Sequence, residues 1–558
     1  MAVLIAGVIA YGMVSGRQVS TVLSRRRWDK LWQLLFLGPA IGALALMSGA
    51  LLKFDIAGAL DRVAGRLRPW TLVFLGLCVL LAVAAWPMQR LPGSRDEAQY
   101  LFQGRALAAG SLSAPPPACV DAFALRGMVI WNGRWITPYE PGHPLLLGLA
   151  DRFGLAWAVG PLTGALSLWL LYFLAAHLHG AGLAVLALAI GAISPFFVFL
   201  AACHSYHVTS LALSSFVFLA VAKAHGRGNR RLWDWCVGVA VGALFLVRPL
   251  AAGILLVPIM VVELSSWKRR GPLWARWGRI LLGAVPLITL WLFYNHAVTG
   301  HALCTARQCI YPNSLLGFGD SASHGPSYGS MGHNPAKGAR NLLLQSATLS
   351  TGLFGWPLIS LIPAMAGFWC SRRSVWSWAF ALAVLMTGSI LFFSWYSAVE
   401  HGPRHYLDSW PGLVILSALG IRGGVSGLRR RFGVAGSNAA LAAVGALFLV
   451  SFVLYVPMRV RDLTDRRLGV DPRVHEVARQ QVKTPAVVFM QCPEEPADYY
   501  TSGFIHNDPF LRRPIIYARH ISPETDRACL QRFPGRSGYL LRYDPHSRDI
   551  TVKDFGSP

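Results

Sequence analysis

Residues 70–110 read WTLVFLGLCVLLAVAAWPMQRLPGSRDEAQYLFQGRALAAG. The first part, through Trp86, carries no charge and is apolar on every side, close to the ~20 residues that cross a bilayer core. After Pro92-Gly93 the pattern changes. Ser94 stands where a helix cap stands, and Asp96 and Glu97 fall in the first turn, where acids favour the helix dipole. The stretch therefore predicts a membrane span that delivers two adjacent carboxylates to the bilayer interface.

Working outward, the same apolar run recurs along the chain. Hydrophobic residues make up 54% of the 558 and charged residues only 14%. One soluble core cannot hold so many helices that are apolar all round. Spans are expected near 2–16, 31–52, 70–89, 155–176, 181–200, 208–222, 233–248, 250–264, 280–296, 348–369, 375–395, 408–421 and 437–457. The fold class is thus an α-helical polytopic membrane protein of about 11–13 transmembrane helices. The net charge of +25 does not signal nucleic acid, because the basic residues sit in short loops: Arg227, Arg230 and Arg231; Lys268–Arg270; Arg372 and Arg373; Arg429–Arg431. That is the positive-inside distribution beside anionic membrane lipids. It places the long loops 90–154 and 295–347, and the tail, on the outer face of a plasma or inner membrane. Arg25–Arg27 fit less well, so one of the first two spans is expected to lie along the interface or form a re-entrant hairpin. Val3–Val14 lacks the flanks of a cleavable signal and reads as a retained helix.

Three regions follow: membrane helices over 1–69, a main transmembrane unit over 70–457, and a polar outer domain over 458–558. In the last, 486–490, 514–519 and 539–543 read as strands and 523–533 as a helix, a small α/β unit. Asn132-Gly133 reads as a turn. Cys304/Cys309 and Cys492/Cys529 are candidate disulfides in an oxidising compartment, which leaves Cys119 alone; unpaired small hydrophobes are the other reading. Cysteine spacing suggests no metal site, and the sequence implies no cofactor.

Three clusters can carry chemistry. A carboxylate near lipid and beside a like charge is pushed toward the range useful for a general base, so Asp96-Glu97 is either a catalytic pair or an ordinary helix start. Residues 137–147, TPYEPGHPLLL, hold Glu140, a second site acid or a solvated one, and His143, a phosphate contact or a helix cap. Residues 395–412, WYSAVEHGPRHYLDSWPG, hold Glu400, His401, Arg404, His405 and Tyr406. Arg404 is suited to grip a phosphate with its fork of donors, or else snorkels to the interface. Arg248, before Pro249, is costly in a membrane unless wetted or paired with a buried carboxylate. His204 and His207 share the outer face. Loop 295–347, with Tyr311, His324, His333, Asn334 and Lys337, is a candidate lid; lone histidines are more often structural.

Taken in order, DEAQYLFQGRALAAG, YEPGHPLLLGL, LVRP and HGPRHYLDSWPGL resemble the GT-C superfamily of membrane glycosyltransferases, in particular the protein O-mannosyltransferases and the lipid A aminoarabinose transferases. The likeness spans roughly 70–425. It implies inverting transfer from a polyprenyl-phosphate sugar to a glycan, lipid or protein hydroxyl. Asp96 matches the family base and Glu97 its neighbour, while Glu140 falls where the aminoarabinose transferases carry a glutamate before a proline motif. That motif is altered here: Pro141-Gly142-His143-Pro144 replaces a Lys-Pro-Pro run. Its phosphate-binding lysine is missing, so His143, Arg248 or Arg404 must supply the contact. His405, Tyr406, His207, His324 and His333 are the remaining substrate-binding candidates. No Asp-x-Asp occurs, which disfavours a metal-bound nucleotide sugar. A flippase, an O-antigen ligase or polymerase, and a non-catalytic partner are the competing functions.

Overall fold

The computed structural model describes residues 41–226, 229–265, 273–312, 316–319, 332–394, 402–465, 470–491, 497–544, 547 and 549–556. Expectations that rest on the first span, Arg25–Arg27, Arg227, Lys268–Arg270, His324, Glu400, His401 and Cys492 lie outside these residues.

Among the described residues, five helical stretches are long and apolar enough to cross a membrane: Ala156–His179, Tyr206–His225, Trp274–Thr299, Val375–Phe393 and Arg404–Thr464. The pair Ala181–Ala192 and Pro195–Ala201, bent by 63°, makes a sixth. Ile41–Leu51, Pro69–Ala85 and Pro249–Leu264 are apolar but shorter. These helices turn large apolar side chains outward; Leu281, Leu282 and Phe293 are each more than half exposed. In water such a surface is a liability, whereas facing lipid costs nothing. Inside, Phe197 stacks on Trp410 with ring centroids 4.5 Å apart.

Two expected spans differ in detail. Residues 348–369 are not one helix: Pro335–Gly352 ends, and Ile362–Ser371 begins after a turn held by the Ser360 hydroxyl, which accepts from the Phe354 and Trp356 amides. The expected spans 408–421 and 437–457 lie on two helices that meet at a kink at Phe432 and Gly433, where Gly433 takes φ 65°.

The basic ends of the helices carry a charge network absent from the sequence reading. Asp234 and Glu263 are buried; Arg276 bonds both, and Arg279 lies 2.7 Å from Asp234. The arginines neutralise acids that would otherwise be buried alone.

At the opposite end, Arg95–Ala108 forms the expected helix, with the Ser94 hydroxyl accepting from the Glu97 amide. It crosses Gly142–Asp151 backbone to backbone: a Cβ on Gly148 would fall 1.9 Å from the Gly104 carbonyl oxygen. Only glycine permits that approach. Short strands β1 (Val129–Trp131) and β2 (Arg134–Ile136) pair around Asn132-Gly133.

The tail forms β3 (Ala486–Gln491), β4 (Ile515–Arg519), β5 (Ser537–Tyr543) and β6 (Ile550–Gly556), ordered β4-β3-β5-β6. Strand β3 is central, parallel to both neighbours and apolar from Ala486 to Met490, as a strand covered on two faces should be. The unexpected edge strand β6 runs antiparallel to β5; its Lys553 and Asp554 hide it in the sequence. The tail shares its core with loop 90–154: Phe504 packs on Phe102 at 5.3 Å and on Trp135 at 6.0 Å. Arg105 donates to the Ile505 and Asn507 carbonyls.

The cysteine expectation is corrected here. Cys119 is not alone; it is bonded to Cys529, with Cα atoms 5.7 Å apart across 410 residues of sequence. Packing brings them together, with Phe123 on Phe533 at 5.9 Å. Cys304 and Cys309 face each other as thiols, 3.5 Å apart. Non-reducing peptide mapping of the purified protein should therefore yield one cross-linked peptide carrying Cys119 and Cys529. Recovery of Cys119 as an alkylated free thiol would contradict the docking.

Candidate active site

Asp96 and Glu97 point to different partners. Glu97 is buried, and its Oε2 accepts from the Gly93 amide at 2.9 Å and the His204 amide at 3.3 Å, with His204 Nδ1 at 3.8 Å. It ties the helix start to the turn at 203–205. Asp96 is less enclosed. It pairs with Arg404, Nη1 to Oδ2 at 3.3 Å, and is hydrogen-bonded by the Tyr139 hydroxyl. A narrow cleft opens there, lined by Ser94, Asp96, Glu97, Tyr100, Leu200, Cys203, Ser205 and Arg404. Two residues 308 positions apart thus meet at one opening.

A tyrosine cage surrounds the pair. Tyr100 lies 4.3 Å from Tyr139 and 5.2 Å from Tyr206, ring centre to ring centre. Burial, then the charge of Asp96, holds the Tyr139 hydroxyl protonated well above its ordinary range. It is therefore a fixed donor. The cage is braced by Gln103, which donates to the Tyr139 carbonyl and to the Tyr294 hydroxyl and accepts from Thr137. None of these tyrosines had been singled out; aromatic residues at an interface carry no sequence mark of their own.

Glu140 accepts a 2.7 Å hydrogen bond from Trp291 Nε1. Burial raises its pKa to about 7, against the opposing pull of Trp291 and Arg307. Arg307 is another residue the sequence reading passed over. It stands on the short helix Ala306–Ile310, closed by a Thr305–Gln308 capping box, and lies 5.7 Å from the Tyr311 ring. Its charge also reaches Tyr139 and His405.

The other candidates divide. His143 is fully buried, with Nδ1 2.9 Å from the Thr209 hydroxyl and Nε2 2.8 Å from the His204 carbonyl. Both ring nitrogens are occupied, and burial pushes its pKa down to about 4. It serves as a neutral tie between loops, without a nitrogen left for phosphate. Arg248 is ion-paired to buried Asp408, which also accepts from Ser210 and Ser214, and contacts His405 Nδ1 at 3.2 Å. The carboxylate partner thus accounts for an arginine at this depth. His405 lies beside His207, 5.6 Å between ring centres, and His207 packs on Tyr206 at 4.4 Å. Tyr406 is buried, its hydroxyl turned toward Gly388. His333 bonds the Phe392 carbonyl and stacks on Phe318, fastening residues 316–319 to the end of Val375–Phe393. Among the described residues, no three His, Cys, Asp or Glu side chains gather as a metal-ligand set.

No protein-family model matches the chain, and no curated protein matches it. Solved structures do. ArnT from Cupriavidus metallidurans bound to undecaprenyl phosphate superposes with a TM-score of 0.54 at 14% identity, over 87% of this chain and 96% of that one. Its apo state gives 0.53 at 13%, over 85% and 92%. The chain has the GT-C fold. That frame brings Asp96, Glu97 and Arg404 to one cleft, with Tyr139 bonded to Asp96 and the charge of Arg307 reaching Tyr139.

Two measurements check this geometry. Removing only Arg248 leaves Asp408 charged and buried, so Arg248→Met should cost about 3–5 kcal/mol in unfolding. Arg248→Met with Asp408→Leu should recover most of that loss. Glu140, raised from 4.5 toward 7, binds its proton more tightly folded than unfolded. Its contribution is full below about pH 4.5 and is lost as pH rises through 7. Relative to Glu140→Gln, the wild type should lose about 1–2 kcal/mol between pH 4.5 and 8, a figure reduced for partial exposure. Parallel unfolding curves for the two proteins across that range would rule out the burial effect.

Proposed function

We propose that this chain is an inverting glycosyltransferase that moves a sugar from a polyprenyl-phosphate donor to an acceptor hydroxyl on the outer face of the membrane. The observation that carries the reading is the Asp96–Arg404 pair at the mouth of the cleft. A base and a phosphate-gripping cation stand side by side there, on a frame similar to that of a protein crystallised with undecaprenyl phosphate. The outward sense follows from charge: Arg230, Arg231, Arg372, Arg373 and Arg429–Arg431 all lie at the far ends of the helices, as cytoplasmic anchors do.

The reaction breaks the bond between the anomeric carbon and the phosphate oxygen and forms one from that carbon to the acceptor oxygen. Asp96 takes the acceptor's proton as attack proceeds from the opposite face. Polyprenyl phosphate leaves with the electron pair, and its charge needs compensation rather than a proton. Arg404 is the first ligand, with Arg307 at the rim as a second. Glu97, held by two amides, positions the Asp96 turn. Tyr139 donates to the Asp96 carboxylate and helps hold it toward Arg404. His405, His207 and Glu140 border the sugar's space. The chain needs no resident cofactor for these steps.

Reconstituted protein supplied with a panel of polyprenyl-phosphate sugars and acceptor extract provides the test, read as release of polyprenyl phosphate. Asp96→Asn should lower release by 10²- to 10⁴-fold with unfolding unchanged. Arg404→Gln should raise donor KM more than Asp96→Asn does. Equal release by wild type and Asp96→Asn would remove the base assignment. No release from any donor, with lipid-linked saccharide crossing liposomes, would replace the enzyme by a transporter.

A further inference from the structure

We infer that the tail domain carries an anion-binding site, formed by His475, His506, Arg479 and Arg513, that takes a phosphate or carboxylate group. His475, on the helix Arg473–Gln481, and His506, just past the helix Thr501–Phe504, lie face to face. Their ring centres are 3.7 Å apart and their planes 8° from parallel. His475 Nδ1 is 2.7 Å from the Tyr517 hydroxyl, which fixes one ring. The Nε2 of His506 is buried and has no hydrogen-bond partner among the described residues. An unmatched buried donor or acceptor costs roughly 1–3 kcal/mol.

Two exposed cations, after Arg105, act electrostatically on His506. Arg479 follows His475 by one helical turn, and Arg513 comes from the segment entering β4; both are exposed. Neither guanidinium hydrogen-bonds to a described residue, yet the charges of both reach the two imidazoles. Of the nearby acids, exposed Glu476 neighbours His475 on its own helix, and two others are engaged elsewhere. Asp508 accepts from the amides of Phe510, Arg512 and Arg513, and Asp151 from Arg105. Burial and these arginines hold both imidazoles neutral. Two unmatched guanidinium forks and one unmatched imidazole nitrogen form a receptor for a planar or tetrahedral oxyanion.

The place of the site suggests its use. Arg105, which grips the carbonyls on either side of His506, belongs to the helix that begins with Asp96. Nine residues separate them, about 13–14 Å along the axis. An acceptor with an anionic end in this site and a hydroxyl reaching along that helix spans to the candidate base. The site itself stands or falls independently of the catalytic reading.

Phenylglyoxal labelling of the full-length protein in neutral detergent, mapped by peptide mass spectrometry, tests it. Inorganic phosphate should slow modification of Arg479 and Arg513 at least fivefold, and chloride at equal ionic strength should not. His506→Phe keeps the ring stack, removes the nitrogen and should abolish the protection, whereas Asp96→Asn should leave it intact. If His506→Phe does not fold, loss of protection at Arg513 in Arg479→Gln gives the same answer. Absence of protection, or equal protection by chloride, overturns the site. Protection by phosphatidylglycerol vesicles but not by phosphate overturns it in favour of a plain membrane contact.

Discussion

The ion pair between Asp96 and Arg404 is the constraint on which the functional architecture turns. Its members come from opposite ends of the chain, so it forms only when the first loop, the turn at 203–205 and the start of the last long helix have all docked. Its side chains are 27% and 17% exposed. The pair is met at 3.3 Å, at the long end of hydrogen-bond distance. It is therefore a weak latch, and a phosphate carrying up to two charges competes well for the guanidinium. In the proposed reaction, Arg404 turning to the donor would take the counter-charge from Asp96 and make it a better base.

Everything around this pair is built to be rigid instead. Gly104 and Gly148 bring two backbones into contact, Glu97 is held by two amides, and His143 has both nitrogens occupied. Arg248 and Asp408 form a buried pair that removal of either partner would break at a cost of several kcal/mol. The tail completes the brace through the Phe102–Phe504 contact and the Cys119–Cys529 bond. A weak latch in a stiff frame is what precise handover of one arginine requires.

The legible part of this design was local. Apolar runs marked the helices, Ser94 and its two acids marked the helix start, and Ala486–Met490 marked the central strand of the tail. The illegible part was pairing across distance. Nothing near Arg248 announces Asp408, 160 residues on, and nothing near Cys119 announces Cys529. His143 looked like a phosphate ligand because its loop matched a family position; only the packed structure shows Thr209 and the His204 carbonyl filling its two nitrogens. Arg307 and the tyrosine cage carried no periodic or motif signal, since a single arginine or tyrosine in a loop reads like any other.

If Arg404 exchanges Asp96 for the donor phosphate, the affinity for polyprenyl phosphate in nanodiscs reports that exchange. Asp96→Asn releases the latch and should bind polyprenyl phosphate as tightly as wild type or severalfold more tightly. Arg404→Gln should bind it at least tenfold more weakly. Equal affinity in wild type and Arg404→Gln, or a tenfold loss in Asp96→Asn, would contradict the exchange.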